Sequence, residues 1–294
     1  MTIAIRPLHP LFAGEVSGLD LRRPVSPADV AAIEAGMDRY AVLVFHDQPI
    51  DDEQHLAFTK AFGTPQKGSN FVAKRDSLRL DPVFADPSNL DKQGKLRDRF
   101  DATRLGRFGN RLWHTDASFW AQGAKYSLLS ARTIPPTGGN TEFADMRAAY
   151  DALDAATKAE VEDLACEHSI LFSRAQLGFA DFTAKELEDN KPVRQRLVRT
   201  HPVTGRKSLY LASHIGGIVG WPQPEALAFI RDLIEHATQR QFVYAHTWSV
   251  ADLVMWDNRQ TMHRGRPYDD LTYARDMRRT TIAGDGPTVA QAAA

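Results

Sequence analysis

The stretch FVYAHTWSVADLVMW, residues 242–256, reads as two short strands, Phe242–Trp248 and Asp252–Trp256, divided by a turn running from Ser249 to Asp252. β-Branched and aromatic residues fill both arms, and the interruption has the length and polarity of a hairpin turn. The same signature recurs on either side of it. Trp113–Ser118, Tyr126–Thr133, Thr141–Phe143, Arg196–His201, Ser208–Ser213 and Met277–Ala283 read as further short strands, with a second turn at Thr204-Gly205. Short strands punctuated by turns point to two packed sheets rather than one parallel α/β sheet. The expected fold is therefore mainly β with helical insertions (α+β), a double-stranded β-helix or jelly roll.

The flanking sequence adds helices to that frame. Ser26-Pro27-Ala28-Asp29 supplies an N-cap, a proline at the first helical position and an acidic third residue, which predicts a helix to about Tyr40. The run Ala41–Phe45 (AVLVF) is apolar without alternation, as expected of a strand buried on both faces. Asp51–Phe62 reads as an amphipathic helix that Gly63 ends. Helical insertions are expected at Met146–Leu164 and at Pro224–His236, the second carrying Leu227, Ile230, Leu233 and Ile234. Residues Thr64–Arg111 are polar and lack either periodicity, so they read as a mobile cover. Pro287–Ala294 reads as a frayed tail. No repeat or low-complexity linker divides the 294 residues, and a single domain over 1–294 is expected.

Composition narrows the function. With 36 basic and 37 acidic residues the net charge is −1, which gives no electrostatic footprint for nucleic acid or an anionic lipid surface. Cys166 is the only cysteine, so neither an intrachain disulfide nor a cysteine-built metal cluster is open to the chain. No apolar run is long enough to span a bilayer, and MTIAIRPLHP lacks the apolar core of a signal peptide. A cytoplasmic protein is expected.

Three features carry chemistry. In Trp113-His114-Thr115-Asp116, a strand would set His114 and Asp116 on one face, an imidazole beside a carboxylate. That is two-thirds of the 2-His-1-carboxylate set of non-haem iron sites, although His-x-Asp alone recurs by chance in many chains. His263, where the strand ending at Trp256 runs into a loop, could complete the set; alone it reads equally as a surface histidine beside Arg264 and Arg266. Arg275 and Arg279 would share a strand face about 13 Å apart. If that face points inward, each guanidinium needs a carboxylate partner; otherwise they are solvated charge on an edge strand. His214, at the end of a predicted strand, reaches either the site or only a structural partner. Phe119 and Trp120 could line a ring pocket, but aromatics so placed are more often plain core, as Trp256 is expected to be.

Taken together, these pieces resemble the taurine dioxygenase/2,4-dichlorophenoxyacetate dioxygenase family over nearly the whole chain. The likeness rests on EVSGLDL near the N-terminus, Trp113 through Phe119, Gly138-Gly139-Asn140-Thr141, Trp256-Asp257-Asn258-Arg259, His263, and Arg275 through Arg279. TEFADMRAAYDAL and SLYLASH are closer to the phenoxyalkanoate herbicide branch than to the taurine branch. The resemblance implies a jelly roll with Fe(II) held by His114, Asp116 and His263, using 2-oxoglutarate as cosubstrate and O2. It implies that Thr141 and Arg275 hold the distal carboxylate of 2-oxoglutarate, and that Arg279 holds the anionic group of a small organic substrate. Since Asp116 is present, its position is not opened for a halide as in related halogenases. A homo-oligomer is implied as well. The expected reaction is hydroxylation of the ether-adjacent carbon of an aryloxyalkanoate. Alternatives are the same chemistry on a sulfonate such as taurine or on another small carboxylate, a zinc hydrolase with the same ligands, or a non-catalytic jelly-roll binding protein. An anchor for a dicarboxylate serves neither of the last two.

Overall fold

The computed structural model describes residues 3–66 and 78–289. Its strands are β1 (Ala4–Pro7), β2 (Gly14–Ser17), β3 (Val42–Phe45), β4 (Ala124–Thr133), β5 (Thr141–Asp145), β6 (Ala165–His168), β7 (Val193–Arg196), β8 (Val198–Thr200), β9 (Lys207–Leu209), β10 (Ile215–Ile218), β11 (Val243–His246), β12 (Leu253–Asp257), β13 (Thr261–Gly265) and β14 (Asp276–Ala283). The helices are α1 (Pro27–Tyr40), α2 (Asp52–Lys60), α3 (Ala102–Gly106), α4 (Met146–Asp151), α5 (Ala155–Val161), α6 (Ile170–Ala175), α7 (Ala184–Asp189) and α8 (Gln223–Ala237). Short 3-10 turns cover Arg107–Arg111 and Arg240–Phe242.

A six-stranded sheet, in the order β1-β2-β3-β12-β4-β14, faces a three-stranded sheet in the order β11-β5-β13. Val42, Val44, Leu129, Val254, Trp256 and Met277 of the large sheet meet Phe143 of the small one between them. Opposite faces of the same strands present Leu43, Phe45, Leu128 and Met255 to Ile33 and Met37 of α1 and Phe58 of α2. The large sheet is thus buried on both sides at its centre, as the unbroken AVLVF run requires. The outer face of the small sheet packs against α4 and α8 through Ala144, Met262, Ile230 and Leu233. This is the expected jelly-roll layering, with the sheets open rather than closed into a barrel.

Local signals account for both N-terminal helices. Ser26 and Asp29 exchange capping hydrogen bonds across the first turn of α1, and Asp51 with Gln54 does the same for α2. Gly63 follows α2 with φ +144°, and a side chain there would lie 2.8 Å from Ile282.

Several boundaries differ from expectation, each for a physical reason. Ser249–Asp252 does form a turn, closed by the Ser249 amide on the Asp252 carboxylate at 2.8 Å. It joins no hairpin, however: β11 pairs with β5 in the small sheet and β12 with β3 and β4 in the large one. His46 and His246 grip the same carboxylate, so the turn is a crossing between sheets. Trp113–Ser118 is not a strand; a single bridge pairs His114 with His263, and a turn follows. Arg196–His201 breaks at Leu197 into β7 and β8, and Ser208–Ser213 shortens to β9. Met146–Leu164 is two helices, because Asp154 caps a fresh start at Ala155.

The segment expected as a cover lies over the open edge of β14. Backbone bridges tie Pro65 to Ile282 and Ala85 to Arg279, and Ser88 bonds the Met277 amide at 3.0 Å. Its last part is helical, α3 and the 3-10 turn after it. Residues 67–77 of that cover lie outside the described residues, as do 290–294 of the expected frayed tail. As far as Thr288 the tail is pinned: its hydroxyl donates to Gln195 at 2.6 Å and accepts from the Arg196 amide at 2.9 Å. No described helix is long and apolar enough to cross a membrane.

Candidate metal centre and its two cavities

His114, Asp116 and His263 are buried, and one possible ligand atom from each lies within 4.8 Å of the others. His114 and His263 exchange backbone hydrogen bonds of 3.0 and 2.8 Å, which sets their rings 4.2 Å apart. The Nδ1 of His114 donates to the Leu112 carbonyl at 2.8 Å, leaving Nε2 for the site. The Nε2 atoms of His114 and His263 sit 3.8 and 3.7 Å from the two oxygens of Asp116. His263 belongs to β13 rather than to a loop, between Met262 in the core and Arg264, which pairs with Glu142 at 2.7 Å.

Asp116 is brought beside His114 by a turn, not by a strand pleat; Ala117, next in the chain, has φ 56°. The carboxylate is fixed from behind. Ser127 donates to Oδ2 at 2.8 Å, Asn258 donates to Ser127 at 2.9 Å, and the amide of Asp116 and the Trp256 indole both donate to the Asn258 side-chain oxygen. Burial opposes the charge on Asp116, but the Arg279 guanidinium 2.7 Å away and the two imidazoles outweigh it and hold the carboxyl down at about 2. A neutral imidazole pair beside an ionised carboxylate is the donor set that borderline divalent metals such as Fe(II) prefer. The burial of both histidines lowers their pKa and favours the neutral, ligating form.

On one side of this centre lies a cavity lined by Thr141, Tyr268, Arg275 and Arg279, with Arg104, Arg107 and Arg111 above them. Arg275, immediately before β14, is buried. Among the described residues its side chain donates from Nη1 to the Pro87 carbonyl at 3.1 Å, and its Nε has no partner. Desolvation pushes the guanidinium down to about 10. A buried cation with open donors is a site for an anion. Thr141 stands in the same cavity, its oxygen accepting from the Trp248 indole at 3.0 Å. An indole only donates, so the Thr141 hydroxyl hydrogen is left to point elsewhere. Gly138 and Gly139 form the approach to Thr141 with φ +74° and +70°, and a side chain at 138 would strike the Pro267 carbonyl at 2.6 Å. The residues present fit a dicarboxylate whose far end meets Arg275 and Thr141.

A second cavity opens on the other side of the centre, lined by Phe119, Trp120, Arg174, His214 and Arg279 together with His114 and Asp116. His214 is buried, with Nδ1 unpartnered and its ring edge-on to Phe119 at 4.9 Å. Arg279 reaches both cavities, giving one nitrogen to Asp116 while its Nε stays without a partner. Thus the sequence-predicted residues gather at one place, in two groups that share Arg279 and the metal centre. Phe119 and Trp120, for which the sequence left open a ring pocket beside the commoner plain core, line the second cavity; Trp256 packs 4.7 Å from His263, as expected of it. Ser127, Trp248 and Arg174 were missed, since each touches the site through residues distant in sequence.

Comparison with known proteins agrees with this geometry. Residues 4–281 match the family described as taurine catabolism dioxygenase TauD, TfdA family. The α-ketoglutarate-dependent 2,4-dichlorophenoxyacetate dioxygenase of Cupriavidus pinatubonensis is 45% identical over 285 residues, covering 97% of this chain and 99% of that protein. The (S)-phenoxypropionate/α-ketoglutarate-dioxygenase of Sphingobium herbicidovorans is 36% identical, with 96% and 95% covered. Among solved structures, AAD-2 in complex with Mn(II) and N-oxalylglycine superposes with a TM-score of 0.92 at 57% identity, covering 99% of this chain and all of that one. The chain belongs to the taurine catabolism dioxygenase TauD, TfdA family.

Proposed function

We propose that the protein is an Fe(II)- and 2-oxoglutarate-dependent dioxygenase that hydroxylates the ether-adjacent carbon of an aryloxyalkanoate of the phenoxyacetate or phenoxypropionate type. The hydroxylated product is a hemiacetal that falls apart to a phenol and a 2-oxo acid, while 2-oxoglutarate leaves as succinate and CO2. The observation that carries the reading is the buried Arg275, without a carboxylate partner among the described residues, beside the His114–Asp116–His263 cluster, an anion site where a chelating dicarboxylate would need one. The relatives named for 2,4-dichlorophenoxyacetate and (S)-phenoxypropionate support the substrate class.

Iron, when held by His114, Asp116 and His263, supplies with 2-oxoglutarate and O2 an oxidant able to take hydrogen from an unactivated carbon. The chain supplies position. Arg275 and Thr141 receive the distal carboxylate of 2-oxoglutarate in the first cavity. Arg279, between the cavities, takes the substrate's anionic group, and His214 with Phe119 and Trp120 walls the space beyond. Because the oxidant is unselective, the C–H bond held nearest decides the product. A homo-oligomer in the cytoplasm belongs to the same reading, and light scattering of the purified chain tests the first part.

Succinate release should be measured across phenoxyacetates, both phenoxypropionate enantiomers, taurine and alkyl sulfates. An aryloxyalkanoate giving the highest turnover supports the proposal; turnover confined to taurine or alkyl sulfates would sink it.

A further inference from the structure

The second cavity contains a cation that no family motif in the sequence pointed to. Arg174 lies in the last turn of α6, and the fold fixes it beside His214: the Ser169 amide that opens the helix donates to the His214 carbonyl at 2.8 Å, and Gln176 at its end donates to the Ser213 carbonyl at 2.8 Å. Its guanidinium occupies the space that a side chain at Gly109 would fill. A Cβ at 109 would sit 1.9 Å from Nη1 and 2.7 Å from Cζ, so any other residue there would push the guanidinium out of this position. The Nε of Arg174 is buried without a hydrogen-bond partner, and among the described residues no carboxylate pairs with the side chain. Two fully buried arginines of this protein are treated differently: Arg147 is paired with Asp145 at 2.9 Å and Arg259 with Asp257 at 2.8 Å.

A partly buried guanidinium without an acid, held open by a glycine and facing a cavity, is built for an anion that arrives from outside. Arg279, the other arginine of this cavity, already gives one nitrogen to Asp116. We infer that Arg174 is a second anion-recognising residue of the substrate cavity, binding the carboxylate of the substrate, and that Gly109 is the residue that permits it. A carboxylate on Arg174 would leave the aryl end to the Phe119–Trp120 wall. This rests on the reading of the substrate as a small organic anion.

The test is equilibrium binding to the anaerobic full-length protein loaded with Fe(II) and 2-oxoglutarate, followed by calorimetry with phenoxyacetate and its neutral methyl ester. Arg174→Gln should weaken phenoxyacetate at least tenfold and leave the ester and 2-oxoglutarate within about twofold. Arg174→Lys should recover part of the loss. Gly109→Ala, at a position without positive φ, should reproduce the loss by displacing the guanidinium. Because Arg174 has no carboxylate partner among the described residues, the melting temperature of Arg174→Gln should hold or rise, where a structural arginine would lower it. Unchanged phenoxyacetate binding, or an equal loss for acid and ester, would overturn the assignment. If the unaltered protein binds taurine or an alkyl sulfate but no aryloxyalkanoate, the substrate reading fails, and Arg174 is judged on that anion by the same tenfold criterion. If it binds none of these anions, both fail.

Discussion

At the level of single residues the centre works by leaving groups unsatisfied. Where an ordinary core would pair or omit a buried charge, Arg275 keeps an open Nε, and His263 keeps a partnerless Nδ1. His114→Ala, Asp116→Ala and His263→Ala should each abolish turnover while circular dichroism remains that of the folded chain; near-normal activity in any one would break the proposed ligand set. Arg275→Ala should raise the 2-oxoglutarate requirement at least tenfold, since losing a charge-assisted contact typically costs about 2–5 kcal/mol. Thr141→Ala should move the same way by less. Trp248→Phe should follow Thr141→Ala at about two- to tenfold, the scale of one neutral hydrogen bond, because the indole sets where the Thr141 hydroxyl points. A Trp248→Phe protein with unaltered affinity would show that the hydroxyl needs no such guidance. The three candidate ligands were expected from the family resemblance rather than from their types, since His-x-Asp alone recurs by chance and His263 alone reads equally as a surface histidine; the structure brings the three together. Trp248 was not, because its contact with Thr141 spans 107 positions and nothing local marks it.

Among the elements, β14 carries the most. Arg278 pairs with Asp52 of α2 on its outer side and Arg279 with Asp116 on its inner side, so one alternating strand locks a helix and serves the site. That alternation was readable from Arg275-Asp-Met-Arg-Arg, although Arg275 itself precedes the strand and the register slips between Asp276 and Met277. His55 of α2 completes the lock, contacting Ser130 of β4 at 3.0 Å and Thr280 of β14 at 3.1 Å. Burial and then the nearby Arg132 charge push His55 down to about 3, so it is neutral in the folded protein. Unfolded, it would titrate near 6.5, and the unfolded chain therefore binds the extra proton between those values. Its contribution is complete above about pH 6.5 and is lost as pH falls toward 3. Urea unfolding from pH 7 to pH 4 should show stability falling with pH, and His55→Gln should flatten that slope by up to about 1.4 kcal/mol per pH unit. Parallel slopes in the two proteins would mean that His55 is solvated or already charged. The sheet assignment of β11 and β12 was not legible in the same way. A turn sequence fixes a reversal, while which sheet each arm joins depends on partners in β3, β4 and β5.

Across the whole molecule, the site is where both sheets and the covering segment meet: His263 and Thr141 come from the small sheet, Arg279 from the large one, and Pro87 and Arg107 from the cover. A ligand that binds there bridges all three, and binding only the folded state must stabilise the whole by mass action. Mn(II) with 2-oxoglutarate, each at about a hundred times its dissociation constant, should add roughly 2.7 kcal/mol or more, which for a chain of this size is a rise in melting temperature of about 5–10 °C. The free and the loaded protein also make different demands on Arg275. Without ligand its guanidinium is a desolvated charge lacking a carboxylate, and replacing it removes that penalty. With ligand it is the partner of the distal carboxylate, and replacing it removes the gain. Arg275→Met, similar in length and uncharged, should therefore melt at or above the unaltered protein when both are free of ligand. It should keep the increment that Mn(II) gives alone and lose most of the further increment from 2-oxoglutarate. The order of the two proteins thus inverts between the free and the loaded state. A variant less stable than the parent in both states by the same amount would make Arg275 a structural residue, and the first cavity would have to hold its anion with Arg104, Arg107 or Arg111 instead.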